Sequence, residues 1–486
     1  MDIQHMFPMF SPMTGFAVIA AYALFIFAIT SWYSRGYNKD KESFLVANRK
    51  IGWLQGSMGA GAAWIQAPGL FVAAQQAYTN GLTGLFYFSL GNFFTLMIFA
   101  FGVNYFRNKY PDGYTLSQFL GTRLGKVVQF IILAQITIGT IQQVTFSLFA
   151  GSKSVEFLTG LSPLITSVFL VGIALVYTLR GGIKATFITD MVKIGVIWVG
   201  MAIIAVTVFG TTGLEPVWAG LGGVSGNGTV LWGNSFALGV FLGFGVPTVV
   251  GHFMGPWTDH AFYENALSQK KNTIIPAFIL APFYWLPLPI IGGALGFLAA
   301  GMHVGVTGPN TQFINIIMMA TVVGPWLALM YLAVVFSGLV SLIDTILMTS
   351  ATISSNDFHD TAKANNPMRW GFVAMFILAA IGIAMANIPG LDIGTFFMFG
   401  KAIGLSLAGN YVIALMARNF ITKYGFYAGA FVGICIGSPI YVYGLLFGGG
   451  PVVMAIGTGV QVIGSALANG VVSYLTAPKQ SQAVVA

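Results

Sequence analysis

Apolar runs of about 20 residues recur along nearly the whole chain, and they restrict its fold more than any other feature, since each is long enough to cross a membrane as a helix. Only 7% of the residues are charged, against about 25% in a soluble domain. The chain is therefore expected to be an all-α integral membrane protein. The predicted transmembrane helices, about thirteen in number, cover residues 14–33, 52–78, 81–106, 124–150, 163–179, 183–210, 236–256, 274–301, 325–353, 370–388, 393–417, 425–447 and 452–475.

Two of these helices are interrupted near their middles by glycine and proline. The first interruption reads Gly59-Ala-Gly-Ala-Ala-Trp64-Ile-Gln66-Ala-Pro68-Gly69, and the second reads Gly243-Phe-Gly245-Val-Pro247-Thr248-Val-Val-Gly251-His252. Proline beside glycine frees backbone groups that hydrocarbon cannot satisfy, so such breaks persist only where they line a cavity. A matched pair of broken helices is typical of the solute site of a secondary transporter.

Each break opens a unit of five predicted helices. The first unit covers residues 52–210, and the second, with the external loop before it, covers residues 211–418. An odd number of crossings makes the two units point in opposite directions, which is the geometry of an inverted repeat. Residues 1–51 then supply one extra helix and a cytoplasmic loop, and residues 419–486 supply two further helices and a tail.

The basic residues predict the orientation in the membrane. The exceptions to a one-sided distribution are Lys153, Lys193 and Lys401. The other 18 of the 21 lie on one side, and they are Arg35, Lys39, Lys41, Arg49, Lys50, Arg107, Lys109, Arg123, Lys126, Arg180, Lys184, Lys270, Lys271, Lys363, Arg369, Arg418, Lys423 and Lys479. The positive-inside rule then places the amino terminus outside and the carboxyl terminus in the cytoplasm, for a multi-pass protein of the plasma (inner) membrane. This topology explains the net charge of +8 without a nucleic-acid partner.

Ionisable residues inside a membrane are costly and are therefore functional candidates. Asp190 is suited to coordinate sodium or to carry a proton, and Lys193 lies on the same helix face. A local ion pair between them is the alternative, and the two roles are compatible. Ser341, Asp344 and Thr345 share a face of a later helix, where their oxygens can serve a hard cation. Against this, hydroxyls in membrane helices often bond only to the carbonyl four residues back.

The first break also carries groups suited to a small polar solute, namely the aromatic face of Trp64 and the amide of Gln66. Gln75 and Thr248, on the two broken helices, are further candidate solute contacts. No free cation lies at the first break, which disfavours a carboxylate as the solute. The chain has neither an H-E-x-x-H nor a G-x-S-x-G motif, so neither an enzyme nor an organic cofactor is expected.

Several stretches resemble the sodium:solute symporter family, to which the sodium–glucose and proline cotransporters belong. They are Gly59-Ala-Gly-Ala-Ala-Trp64, the run from Gly181-Gly to Thr189-Asp190, Trp257-Thr-Asp259-His260 ahead of Lys270-Lys271, and Ser341-x-x-Asp344 continuing to Asp357. The stretches most similar to its urea-transporting branch are Gln75-Gln-Ala-Tyr78-Thr-Asn-Gly81-Leu-Thr-Gly84-Leu-Phe-Tyr87 and Lys109-Tyr-Pro111-Asp-Gly-Tyr-Thr115. The resemblance implies a five-plus-five inverted-repeat (LeuT-like) core and symport of a small polar solute by alternating access, with urea as the leading candidate.

The resemblance also implies a sodium site. Its carbonyl ligands would come from Ala62, Ile65 and Gly338, and Ser341 falls on the first hydroxyl position. Leu342 stands where the family usually has a second hydroxyl, which Asp344 or Thr345 would have to replace.

A second departure from the family concerns the aspartate of the fifth core helix. Asp190 matches it, but Lys193 stands where many members have glutamine. The lysine could neutralise Asp190 and weaken a second cation site. A proton-coupled symporter and an uncoupled facilitator for the same class of solute therefore remain as alternatives to sodium coupling.

Overall fold

The computed structural model describes residues 7–33, 40–357, 367–417 and 420–477, and these residues form helices joined by short connections. The α-helices in chain order are α1 (Pro12–Tyr33), α2 (Lys41–Val46), α3 (Trp53–Trp64), α4 (Ala67–Lys109), α5 (Leu116–Leu124), α6 (Lys126–Thr159), α7 (Pro163–Thr212), α8 (Glu215–Ala219), α9 (Ser235–Val240), α10 (Val246–Thr258), α11 (His260–Ser268), α12 (Ile274–Leu280), α13 (Pro287–Gly301), α14 (Ile314–Val322), α15 (Pro325–Asn356), α16 (Pro367–Ala386), α17 (Ile393–Leu405), α18 (Ala408–Met416), α19 (Lys423–Ala430), α20 (Ser438–Leu446), α21 (Gly450–Gly459) and α22 (Ser465–Thr476). Shorter 3-10 or π-helical turns connect some of them, at Ala47–Arg49, Phe241–Gly245, Lys271–Thr273, Ala281–Trp285, Gly308–Phe313, Phe431–Gly437 and Val460–Gly464.

Within the described ranges, eleven helical segments are long and apolar enough to cross a membrane. Two of them double back at a glycine. Gly81 interrupts α4 with a φ of 66° and a ψ of −153°, and a Cβ atom placed on Gly69 would lie 3.5 Å from the ring of Phe88. On a straight helix these two residues would be about 28 Å apart.

The second doubling back is in α7, where Gly182 has a φ of 56° and a ψ of −155°. It brings the Lys193 Nζ atom within 3.1 Å of the Tyr177 hydroxyl, whereas a straight helix would separate these residues by about 24 Å. Eleven segments with two doubled back make thirteen crossings in the described part of the chain. The predicted multi-pass architecture is confirmed.

The first predicted break is present. Helix α3 ends at Trp64 and α4 begins at Ala67, and the two residues between them leave the helical region of backbone space. Ile65 has a ψ of 85° and Gln66 a ψ of 118°. The chain therefore crosses the membrane here as two half-helices joined by an extended peptide.

The second predicted break, between Gly243 and Gly251, is wrong in position. A π-helical turn at Phe241–Gly245 leads directly into α10, and its wider spacing lets the Val246 N–H bond to the Phe241 carbonyl. Pro247 follows this turn, and the wider π-helical spacing accommodates its missing N–H without ending the helix. The helix is interrupted later, at Asp259 (φ −102°, ψ 115°), and α11 follows.

The start of the first broken segment and the end of the second meet at one end of the bundle. The Ile51 N–H donates to the Ser268 carbonyl at 3.1 Å, and the Lys270 N–H donates to the Ile51 carbonyl at 3.0 Å, so the start of α3 is joined to the end of α11. The Arg49 guanidinium donates to the Gly113 carbonyl at 3.0 Å in the same region. We call this end, with the basic residues of 41–50, 107–126 and 270–271, the basic end. Arg35, Lys39, Lys363, Arg418 and Lys479 lie outside the described residues.

Helix α15 occupies the centre of the bundle. In its most apolar stretch 83% of the residues are buried, more than in any other candidate span of the described chain. It packs against α7, α6 and α16. Polar side chains on α15 therefore face protein and not lipid, which is the condition for placing ionisable groups at membrane depth.

Candidate functional site

A buried ionic cluster joins α7 to α15. The Lys193 Nζ atom lies 2.6 Å from Asp344 Oδ2 and 3.4 Å from Asp190 Oδ1. The Ser341 hydroxyl donates to Asp190 Oδ1 at 2.5 Å, and the Tyr177 hydroxyl donates to Asp344. All five side chains are almost fully buried. We call this set the Lys193 cluster.

The sequence builds this cluster from two local patterns. On α15 the i, i+3 spacing of Ser341 and Asp344 places both side chains on the face that packs against α7. On α7 the turn at Gly182 folds Tyr177 back onto Lys193. The predicted local pair of Asp190 and Lys193 is present, but the shorter ion pair runs between helices, to Asp344.

The charges of the Lys193 cluster do not balance. Two carboxylates and one ammonium leave one net negative charge when all three are ionised. An uncompensated charge in a buried site costs several kcal/mol. The cluster is therefore a site to which one additional cation is attracted.

A small cavity of about 20 Å³ lies beside the cluster, between α3, α7, α11 and α15. Its walls include Ala63, Asp190 and Thr345, together with the carboxylate-bearing side chain of Glu264. Glu264 is buried and accepts hydrogen bonds from Thr349 Oγ1 at 3.1 Å and from Thr352. A space of this size holds about one water molecule.

A larger cavity of about 110 Å³ lies at the first break, and we call it the central cavity. Trp64 and Gln66 both line it, as predicted from the sequence. The Trp64 indole N–H donates to the Asn92 carbonyl at 3.0 Å, and its ring stands edge-on to His252 at 5.9 Å and to Phe262 at 5.6 Å. The tryptophan is therefore fixed as a wall of the cavity.

Polar side chains line another part of the central cavity, which we call the polar wall. Gln143 Nε2 donates to Asp259 Oδ2 at 3.1 Å, and Lys401 reaches the cavity from α17. Several buried polar atoms on this wall have no hydrogen-bond partner within the described residues, and they are Gln143 Oε1, His252 Nδ1 and both ring nitrogens of His260. The cavity thus presents donors and acceptors to a bound molecule.

The family model of the sodium:solute symporters matches residues 44–437 of this chain. The chain belongs to the sodium:solute symporter family. The resemblance stated from the sequence is confirmed, and the match includes the first break, the Lys193 cluster and the wall that carries Lys401.

Three individual proteins are similar to this symporter-family chain. A probable urea active transporter 1 of Schizosaccharomyces pombe is 24% identical over 58% of this chain and 44% of its own length, so the chain spans less than half of that relative. A sodium/proline symporter of Staphylococcus aureus (strain Newman) is 20% identical over 77% of this chain and 75% of its own length. A Na+-coupled sialic acid symporter, solved in a substrate-bound outward-open state, superposes with a TM-score of 0.78 at 15% identity and covers 96% of this chain and 98% of that one. The predicted five-plus-five inverted-repeat fold is confirmed.

The family's sodium ligands were predicted on α3 and α15. Of these oxygens, the Ser341 hydroxyl donates to Asp190, and the Thr345 hydroxyl donates to the Ser341 carbonyl at 2.8 Å. The Ala62 carbonyl accepts from the Ile65 N–H at 3.1 Å, and Gly338 is buried in α15. An oxygen that takes part in one hydrogen bond keeps a lone pair for a cation, so these bonds are compatible with the symporter-family sodium site.

Two predicted solute contacts lie away from the central cavity of this symporter-family chain. Gln75 donates through Nε2 to Thr311 Oγ1 at 3.1 Å. Thr248 is fully buried and faces the sulfur of Met398 at 3.8 Å. The structure therefore brings Trp64 together with the polar wall, but it does not bring Gln75 or Thr248 to the same cavity.

Sequence reasoning missed the polar wall. In the sequence, Asp259 and His260 match the family pattern without an assigned role, and Lys401 stands out only as an exception to the charge distribution. That exception was the available signal, because Lys193 and Lys401 are both basic residues inside apolar spans, which mark functional positions by default in a membrane helix. Which cavity Lys401 reaches depends on the packing of α17 and does not follow from the sequence alone.

Proposed function

We propose that this chain is a secondary active symporter that carries a small polar solute through the central cavity by alternating access. The observation that carries the proposal is the sharing of α3 and α15 between two sites. Trp64 of α3 and Thr349 of α15 line the central cavity, while Ala63 and Thr345 line the small cavity beside the Lys193 cluster. A cation that changes the packing of these helices changes both sites, which is the coupling that symport requires.

The proposed topology follows the inverted repeat and the basic end. Residues 52–210 form the first repeat and residues 211–418 the external loop and the second. One helix precedes them and two follow. The basic end faces the cytoplasm, so the amino terminus is outside and the carboxyl terminus inside, in the plasma (inner) membrane.

The first solute to test is urea. The urea transporter among the relatives supports this choice, and the sodium/proline symporter makes proline the second. The central cavity, of about 110 Å³, is lined by polar and aromatic groups that suit a small polar solute.

Sodium is the first candidate for the driving cation, because the family and its Na+-coupled structural neighbour support it. In this proposal sodium lies between the first break and α15. Its carbonyl ligands are those of Ala62, Ile65 and Gly338. Its hydroxyl ligands are Ser341 and Thr345, the latter replacing the hydroxyl that Leu342 lacks. Hard cations of this kind need several oxygen ligands.

A proton is the second candidate, and a specific observation favours it. The Lys193 ammonium already lies between the carboxylates of Asp190 and Asp344, where a bound metal ion would otherwise balance their charge. Only one net negative charge remains, and protonation of one carboxylate neutralises it. Asp190 and Asp344 would then bind and release the driving proton.

The test is uptake of radiolabelled urea or proline into proteoliposomes under three conditions. These are an inward sodium gradient at equal pH, an inward proton gradient without sodium, and choline at equal pH. Sodium coupling predicts concentrative uptake in the first condition alone, and proton coupling predicts it in the second. The Lys153→Met variant, which changes an ion pair remote from both sites, serves as the protein control beside empty liposomes.

Equal and non-concentrative uptake under all three conditions would contradict symport. Flux that rises linearly with solute concentration would identify an uncoupled facilitator instead. Equal uptake in choline and in sodium at fixed pH would remove sodium but leave the proton as the driving ion.

A further inference from the structure

Lys401 is a cation on the wall of the central cavity, and it lacks an acidic partner among the residues that the structure describes. It lies in the middle of α17 and is half-buried. Within the described residues it forms no ion pair and no hydrogen bond. Its ammonium instead lies 4.6 Å from the centroid of the Phe397 ring, a cation–π distance.

The position of Lys401 is built into the packing around it. The aliphatic part of its side chain passes over Gly251 of α10, where an added Cβ atom would lie 2.7 Å from Lys401 Cδ. Phe397, one helical turn earlier on α17, supports the ammonium from below. Both Phe397 and Gly251 line the central cavity, so the ammonium is held at its surface.

The charge of Lys401 needs a partner at this depth. Asp259 is the acidic residue of the described cavity wall, and its two oxygens already accept bonds from the Ala261 N–H at 3.0 Å and from Gln143 at 3.1 Å. An ammonium in a low-dielectric cavity without an anion loses much of its solvation energy. A small anion that enters the cavity recovers this energy.

The remaining free atoms of the wall suit the rest of such a molecule. Gln143 Oε1 is a buried acceptor without a partner, and the ring nitrogens of His260 are likewise unpartnered within the described residues. An acceptor of this kind pairs with an N–H or O–H group. The wall therefore offers a cation for one end of a solute and hydrogen-bonding groups for the other.

We propose that the central cavity binds its solute through a carboxylate placed on Lys401, so that the transported class is small monocarboxylates bearing a hydrogen-bond donor. This inference rests on the proposed symport function and specifies its solute. The absence of a free cation at the first break disfavours a carboxylate when that segment is considered alone. The fold supplies the missing cation from α17.

The test compares carboxylates with their own primary amides, which differ in charge but hardly in shape. Purified protein in detergent is titrated with acetate, lactate, glycine and proline, with the four matching amides, and with urea. Trp64 and Trp285 line the cavity, so tryptophan fluorescence reports binding without any ion gradient. We expect at least one carboxylate to bind about 10-fold more tightly than its amide and than urea, the size expected for a charge-assisted bond.

Variants assign this preference to Lys401. Lys401→Met removes the charge and is expected to abolish the preference of about 10-fold for a carboxylate over its amide. Lys401→Arg is expected to keep this preference. Gly251→Ala is expected to weaken carboxylate binding by displacing the lysine stem. Gly239→Ala is its control, since a Cβ atom added there would meet no described atom within 4 Å outside its own helix turn. Lys153→Met is the control for loss of a lysine elsewhere.

Three results would overturn the proposal. These are equal affinity for each carboxylate and its amide, an unchanged preference in Lys401→Met, and no binding of any of the four carboxylates up to about 100 mM. Size-exclusion profiles and the intact Lys401→Arg variant separate these results from misfolding. Binding is measured without an ion gradient. A negative result would therefore contradict the carboxylate proposal without contradicting symport, which the uptake experiment tests separately.

Discussion

The Nζ atom of Lys193 lies 2.6 Å from Oδ2 of Asp344, and both side chains are fully shielded from solvent. The pair joins α7 to α15, the most extensively packed pair of helices in the described chain. Buried ion pairs contribute little net stability when intact, but removal of one partner leaves an unpaired charge. This asymmetry makes the pair a sensitive point of the fold.

We expect Lys193→Met to lower the free energy of unfolding by about 3 to 5 kcal/mol, because two carboxylates then remain buried without a cation. Adding Asp344→Asn to this variant removes one of those charges and is expected to recover part of the loss. Thermal midpoints in detergent measure both effects. Lys153→Met, which breaks a partly exposed pair, is the control and should cost less than about 1 kcal/mol. A Lys193→Met protein as stable as this control would show that Lys193 is not held by the two aspartates.

Asp190→Asn tests whether the unbalanced charge of the cluster couples the ion to the solute. The substitution leaves one carboxylate and one ammonium, which balance without a further cation. We expect uptake driven by the coupling ion to fall at least about 10-fold, while solute affinity measured in detergent changes by less than about 3-fold. Lys153→Met, which changes an ion pair outside both cavities, should retain the wild-type gradient dependence. Wild-type gradient dependence in Asp190→Asn would place coupling elsewhere.

The crossings, the first break, the Asp190–Lys193 pair and the shared helix face of Ser341 and Asp344 are predictable from the sequence for physical reasons that are local. Hydrocarbon thickness sets the length of each apolar run. Residues three apart share a helix face, whatever the rest of the fold does. The break at Ile65 and Gln66 follows from backbone chemistry that a membrane helix cannot absorb.

The residues of the polar wall could not be predicted from local sequence, because a membrane helix is apolar both where it faces lipid and where it faces protein. Periodicity therefore does not indicate which way Lys401 or Thr248 faces, and only packing decides. Lys401 faces the cavity, while Thr248 faces Met398. The second break was misplaced for a related reason, since a π-helical turn accommodates Pro247 without unwinding the helix.

Asp357 lies at the basic end, just beyond the last residue of α15. We expect its carboxyl to make the stability of the fold depend on pH. Burial raises the pKa of its carboxyl from its ordinary value to about 6, against the opposing effect of hydrogen bonds from Gln129, Ser117 and Thr115. Between the ordinary value and pH 6 the folded protein binds more protons than the unfolded one. Stability therefore falls as pH rises through this window and levels off above it.

We expect Asp357→Asn to remove this decline. The change in unfolding free energy between pH 4 and pH 7 should be smaller in the variant than in the wild type by about 2 to 3 kcal/mol, measured from thermal or denaturant midpoints. Asp112→Asn changes an exposed acid of the neighbouring 110–115 segment and should leave the wild-type profile unaltered. Parallel pH profiles for wild type and Asp357→Asn would contradict the assignment.

Gly182 is the residue on which the Lys193 cluster depends most directly, because the reversal of α7 at this point brings Tyr177 to Lys193. Its φ of 56° and ψ of −155° lie in a region of backbone space that is nearly exclusive to glycine. A Cβ atom there would also lie 2.6 Å from the Phe44 carbonyl oxygen. We expect Gly182→Ala to cost about 3 kcal/mol or more, from backbone strain of about 1 to 3 kcal/mol together with the displaced contact. Gly172→Ala lies in the same helix, where an added Cβ atom would meet no described atom within 4 Å outside its own helix turn, and should be neutral or stabilising by about 0.5 to 1 kcal/mol. Thermal midpoints in detergent compare the two variants, and equal midpoints would mean that α7 does not require a glycine to reverse its direction.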